Sequence, residues 1–192
     1  MPVILDDEGF AARLKTHPAG VWFFFGEEEF LKRRAARRLE ELITENEAFN
    51  VQRLTLSAKD DCVRAVQGAL SEIPFLSEYR YTRIDHCAFW LLNRSEGEAF
   101  CAALRQAPED QILVFFYPAN EASIQKDSGS KVTSSYVYSH LPENACVVEF
   151  KRKSPEFLAG YLRKKLEKSG VTIASDAALN CAVRCECALE RI

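Results

Sequence analysis

No stretch of this 192-residue chain is apolar for the length of a membrane span, and its first residues carry no signal-peptide pattern. The expectation from both absences is a cytoplasmic protein. No Cys-x-x-Cys pair occurs, and the seven cysteines are an odd number without the spacing of a disulfide framework, so they read as reduced thiols. Histidine is scarce: His17, His86 and His140 are too scattered to argue a nucleophile–base pair. The one adjacent couple, His86-Cys87, would point its side chains to opposite faces of a strand. There is no internal repeat, and a net charge of −3 does not advertise nucleic-acid binding. What is there is a 47% hydrophobic composition, ample for the core of one large domain or of one domain with a smaller piece.

The chain is organised around Val21 to Leu42. Five consecutive large apolar residues, Val21 to Phe25, suit a strand buried on both faces of a parallel sheet. Gly26 breaks the run. A helix follows, with Leu31, Ala35, Leu39, Leu42 and Ile43 on one face and Lys32, Arg33, Arg37 and Glu41 on the other. Strand, glycine turn and helix is where many α/β proteins cradle a phosphate. Such a loop needs several glycines and a Lys-Ser/Thr pair. Here one glycine, Gly26, precedes Glu27, Glu28 and Glu29. These carboxylates satisfy the positive end of the helix dipole themselves and would repel a phosphate. The position reads as a degenerate phosphate loop and a well-capped helix, with no nucleotide cofactor expected.

Residues 5–15 read as a short helix with Phe10 and Leu14 inward and Asp6 and Asp7 at its start; nothing downstream completes a paired-Asp metal site. Asn50 to Leu56 alternates, as a strand near a sheet edge does. A helix is predicted from Asp61 to Ile73 with Cys62, Val66, Ala69, Leu70 and Ile73 at helical spacing, ended by Pro74. Tyr79 to Asp85 is a strand, and Glu96 to Gln106 a helix with Ala99, Phe100, Ala103 and Leu104 inward. Gln111 to Tyr117 is the second uniformly apolar strand. It pairs with Val21–Phe25 at the sheet centre, so strand order is shuffled, as in a doubly wound fold. Ala119 to Lys131 is a polar loop, Val132 to Leu141 a short helix, and Ala145 to Phe150 a fifth strand. Beyond Lys151-Arg152-Lys153 the pattern is helical only. Ser154 caps one helix with Pro155 at its first position and Phe157, Leu158, Tyr161, Leu162 and Leu166 on its apolar face. Ser175-Asp176 caps another, striped by Ala178, Ala182, Cys185 and Leu189.

Four stretches carry a resemblance. They are Phe25 to Leu31, Ile73-Pro74-Phe75-Leu76-Ser77-Glu78, Gln111 to Tyr117, and Val147 to Phe150 leading into the helix at Leu158 to Gly170. In this order they span nearly the whole chain, which resembles the delta subunits of bacterial DNA polymerase III, the clamp-loader components that bind and open the ring-shaped sliding clamp. The resemblance implies an AAA+-like α/β domain over residues 1–150, with a five-stranded parallel sheet and a degenerate nucleotide site. The start of a small helical lid domain over residues 151–192 follows. It implies no intrinsic catalysis, membership of a polymerase holoenzyme, and the polymerase III beta subunit as partner. Other loader subunits would be met through a collar domain beyond Ile192, DNA only through the full complex, and no membrane. Where the family often has a Gly-Asp-Leu-Arg-like turn, this chain has Arg184 to Leu189, which leaves a sensor role there unsupported.

The resemblance places the clamp-binding anchor at Phe75 and Leu76, flanked by Pro74 and Ile73. Large apolar residues in a connection are candidates for a partner's pocket; equally, Phe75 could fold under the sheet as core. A nucleotide-handling enzyme on the same outline is the alternative function, and it lacks its lysine and Ser/Thr between Gly26 and Phe30. Cys181, Cys185 and Cys187 lack a fourth ligand for a metal and read as helix cysteines. Lys32, Arg33, Arg34, Arg37 and Arg38 spread around their helix, and with Glu40, Glu41 and Glu45 they read as a solvated face with internal ion pairs rather than a phosphate-binding one. Lys151 to Lys153 is open to the same two readings.

Overall fold

The computed structural model describes residues 3–44, 46–57, 61–119, 131–143 and 145–185. In chain order the elements are β1 (Val3–Leu5), α1 (Asp7–Thr16), β2 (Gly20–Phe25), α2 (Glu29–Glu40), α3 (Glu47–Asn50), β3 (Val51–Thr55) and α4 (Asp61–Ser71). There follow β4 (Arg80–Asp85), a 3-10 turn at Phe89–Leu91, α5 (Arg94–Arg105), β5 (Gln111–Phe116), α6 (Tyr136–Ser139), β6 (Ala145–Glu149), α7 (Pro155–Glu167) and α8 (Ser175–Arg184). The strands make one sheet in the order β1-β6-β2-β5-β4-β3, and every neighbouring pair is parallel.

The two uniformly apolar strands, β2 and β5, lie side by side at the centre. Side chains alternate between the faces of a strand, so β2 feeds two cores. Val21, Phe23 and Phe25 pack on one face with Val66, Phe100 and Leu104. Trp22 and Phe24 pack on the other with Phe10, Ala35 and Leu39. Phe23 stacks on Phe115 at 4.5 Å and Phe25 on Tyr117 at 4.6 Å between ring centroids. Each such ring, fully buried, contributes about 1.5–3 kcal/mol of transfer free energy, and β2 alone supplies Trp22, Phe23, Phe24 and Phe25. β3, with its alternating pattern, is an edge strand as its sequence implies.

The sheet differs from the sequence reading in having six strands. Val3–Leu5 adds to β6 as the opposite edge, and three residues are too few to show a period. α4 stops at Ser71, and Ile73 is exposed rather than inward. α6 is a single turn, where a helix from Val132 to Leu141 was expected. α5 starts earlier than expected because Asn93 and Glu96 form a capping box. Its inward face is Gly97, Phe100, Cys101 and Leu104, with Ala99 turned out. Phe157 is exposed beside the buried Leu158 and Leu162, and Ala174, not Ser175, stands at the start of α8 without a side-chain cap. Leu158 and Ala182 pack with Phe30 and Leu31, so the terminal helices lean on α2. Most of the polar loop after Ala119, together with Glu45, Cys187 and Leu189, lies outside the described residues.

Candidate functional site

Two places are in question, and the parallel sheet puts them at opposite ends. The phosphate-loop position follows β2, at the carboxyl end of the strands. The Ile73–Glu78 connection precedes β4, at the amino end.

At the carboxyl end the loop is closed by the protein's own groups. Gly26 has φ +107, and a Cβ there would stand 2.3 Å from the carbonyl oxygen of Phe150. The glycine is therefore required by the close approach of the chain leaving β6. The Phe150 N–H donates to the Phe25 carbonyl at 2.9 Å, and the Glu28 N–H donates to the Phe150 carbonyl at 3.0 Å. Glu28 is buried, and Glu27 reaches Arg152 at 4.0 Å. Glu29 accepts from Lys32 Nζ and from the Ala119 N–H, both at 2.7 Å. Lys32 Nζ also donates to the Tyr117 carbonyl at 2.6 Å.

Lys32 is thus fully buried, against its expected place on the polar face. Its spacing with Ala36, Leu39 and Ile43 is the signal that could have found it. Burial lowers its pKa, a shift opposed by the hydrogen bond and charge of Glu29. Charge-assisted hydrogen bonds of this kind contribute about 1.5–3 kcal/mol each. Glu29, the first residue of α2, thus places an internal anion at the helix start, held by Lys32 and the Ala119 N–H.

At the amino end, the connection is held open from beneath. Asn50, which sequence alone placed in a strand, ends α3 and is fully buried. Its Oδ1 accepts from the Phe75 N–H at 2.7 Å, and its Nδ2 donates to the Phe75 carbonyl at 2.9 Å. One side chain thereby pairs both backbone groups of Phe75. Asn46 Nδ2 donates to the Leu76 carbonyl at 3.3 Å. Leu76 sits at φ 49, a left-handed conformation that costs a residue with a Cβ about 1–2 kcal/mol. Upstream, Arg80 pairs with Glu72 at 2.7 Å and donates to the Phe49 carbonyl, while Gln111 donates to the Glu72 carbonyl.

The backbone being fixed on both sides, the side chains are left outside. Ile73 is 81%, Phe75 52% and Leu76 71% exposed, with Pro74 half-buried. Phe49, 64% exposed, meets Phe75 with ring centroids 5.3 Å apart. Sequence reasoning passed over Phe49 and Asn46 and put Asn50 in a strand; the two asparagines flanking an aromatic residue were the available signal. The alternative of Phe75 as core does not hold, because its ring lies on the surface.

No protein-family model matches the chain, and no curated protein matches it by sequence. Solved structures do match it. The fold is shared with a DNA clamp loader delta protein. That protein, from Bacillus subtilis, superposes with a TM-score of 0.67 at 15% identity, over 96% of this chain and 54% of its own length. A DNA polymerase III gamma subunit-related protein from Thermotoga maritima superposes with a TM-score of 0.49 at 14% identity, over 82% of this chain and 49% of its own. The chain therefore spans about half the length of the solved proteins it matches. The likeness to the delta protein is one of fold, an α/β architecture with a parallel sheet flanked by helices.

The remaining sequence candidates fall into place around these two ends. Cys62, Cys87, Cys101 and Cys146 are buried, and burial pushes the thiols of Cys101 and Cys146 up. Cys181 is exposed and Cys185 half-buried. Among the described residues no group of three or more His, Cys, Asp or Glu is placed to hold a metal, and no helix is long and apolar enough to cross a membrane. The basic cluster of α2 divides between two faces of the helix. Lys32 is inside, and Arg33, Arg34, Arg37 and Arg38 line one groove with Phe30 and Glu41.

Proposed function

We propose that this chain is the clamp-engaging portion of a delta subunit of the bacterial DNA polymerase III clamp loader, and that it binds and opens the sliding clamp. The observation that carries this reading is the Phe75–Leu76 pair, exposed on a backbone that Asn50 and Asn46 hold rigid. Large apolar side chains presented on fixed backbone lose little entropy on entering a pocket, and interface energy concentrates in a few such anchors. Ile73 and Pro74 flank the pair. The partner is the polymerase III beta subunit. Other loader subunits assemble through a collar domain outside this chain, DNA is met through the full loader, and the setting is the cytoplasm.

The chain performs no nucleotide chemistry in this reading. The Glu29–Lys32–Ala119 arrangement argues against the alternative of a nucleotide-handling enzyme, because an internal carboxylate at the start of α2 already engages Lys32. The test is capture of the cognate sliding clamp by the immobilised chain. Retention of the clamp is expected. A clamp that passes through at micromolar concentrations contradicts the assignment.

A further inference from the structure

α3 is one helical turn, and its burial runs opposite to its chemistry. The polar Asn50 is fully buried, while Phe49 beside it is 64% exposed. A phenylalanine turned to water forgoes the transfer free energy that favours its burial. Polar contacts nonetheless fix it there. The Phe49 carbonyl accepts from Arg80, and Arg80 pairs with Glu72 at 2.7 Å. The Phe49 N–H donates to the Asn46 carbonyl at 2.9 Å. Asn46 and Asn50 in turn bond the backbones of Leu76 and Phe75. Two segments distant in sequence are thereby joined through their polar groups, with their rings outward. The Phe49 and Phe75 centroids lie 5.3 Å apart, and the ring planes are tilted by 55°. Ten large apolar side chains are exposed among the described residues, and four of them, Phe49, Ile73, Phe75 and Leu76, belong to this unit. Exposed apolar residues scattered singly are ordinary; a cluster built from two segments marks a partner's site.

We infer that Phe49 is a further anchor for the clamp, entering the same apolar cleft as Phe75 from a second element. The inference rests on the clamp-engaging reading of the Phe75 connection and adds to it the shape of the receiving surface. That cleft takes two aromatic rings at the offset that α3 and the connection impose. Both backbones are already fixed, so the pair arrives preorganised and little ordering entropy is lost on docking. A contact made from two elements also discriminates between clefts. One that admits a single side chain excludes the second ring, which raises specificity for the wider one. A ring that only propped Phe75 would itself stay in water when the partner binds.

The test titrates the cognate sliding clamp with the full chain and reads affinity and ring burial separately. Phe49→Ala should bind about fivefold or more weakly than wild type. Phe157→Ala, which removes a comparably exposed ring from α7, should stay within about twofold. In Phe49→Trp the added indole emission should move to shorter wavelength when the clamp is bound, relative to wild type carrying Trp22 and Trp90 alone. Should Phe49→Ala lower the melting midpoint, the Phe49→Trp emission decides. Unchanged affinity in Phe49→Ala with wild-type melting overturns the inference and leaves the Phe75 anchor standing. So does an unmoved Phe49→Trp emission at saturating clamp, which reduces Phe49 to a prop. A wild-type chain that does not bind the clamp overturns this inference together with the reading beneath it. A wild-type chain that sediments as a dimer, and as a monomer once Phe49 is truncated, makes a second copy the occupant and also overturns it.

Discussion

Asn50 does the most with the fewest atoms. A buried primary amide has an acceptor and two donors to satisfy. Here the acceptor and one donor close on the Phe75 backbone, and Nδ2 also reaches the Asn46 carbonyl at 3.2 Å. Asn50→Ala removes two part-buried hydrogen bonds to the Phe75 backbone, at about 1 kcal/mol each, together with the buried amide's own packing. We expect Asn50→Ala to lower the stability measured by urea unfolding by about 2–4 kcal/mol. Amide exchange at Phe75 and Leu76 should rise more than exchange in β2 and β5. Uniform exchange across the chain would show that Asn50 serves general stability rather than this connection. Lys32 and Gly26 are the corresponding residues at the other end of the sheet. The first gives its charge to Glu29, and the second admits the Phe150 backbone.

Those two residues decide what the β2–α2 unit can do. A phosphate entering there would have to displace Glu29 from both Lys32 and the Ala119 N–H, and it would meet the buried Glu28. Calorimetric titration with magnesium ATP should therefore give no binding heat; micromolar affinity would contradict the closed-loop reading. The elements also separate what was legible in the sequence from what was not. β2 and β5 are apolar on both faces, so their central place was readable, and the turn after β2 was marked by Gly26. β1 was not readable, because three residues carry no period, and α6 was read as a helix from Val132 to Leu141 where a single turn stands. Lys32 was misplaced because its charge outweighed its position on the helix. The exposure of Phe75 stayed open because the group that fixes it, Asn50, is 25 residues away. Of the carboxylates read as neutralising the α2 arginines, Glu40 turns to Arg53, Glu41 lines the groove with them, and Glu45 lies outside the described residues.

At the scale of the molecule, one parallel sheet separates the closed loop from the open connection. β4, at about 3.3 Å per residue over its length, keeps the Phe75 end some 20 Å from the carboxyl ends of the strands. A partner held at the connection thus leaves the loop, the arginine face of α2 and the terminal helices accessible to other contacts. The fold is shared with a clamp loader delta protein, and in the proposed function Phe75 and Leu76 are its anchor for the clamp. The most direct measurement is calorimetric titration of the cognate sliding clamp with wild type and with Phe75→Ala/Leu76→Ala, alongside thermal melting of both. The prediction is an unchanged melting midpoint and a loss of at least about 2 kcal/mol, ~30-fold in affinity. A folded double variant that binds the clamp as tightly as wild type would contradict it.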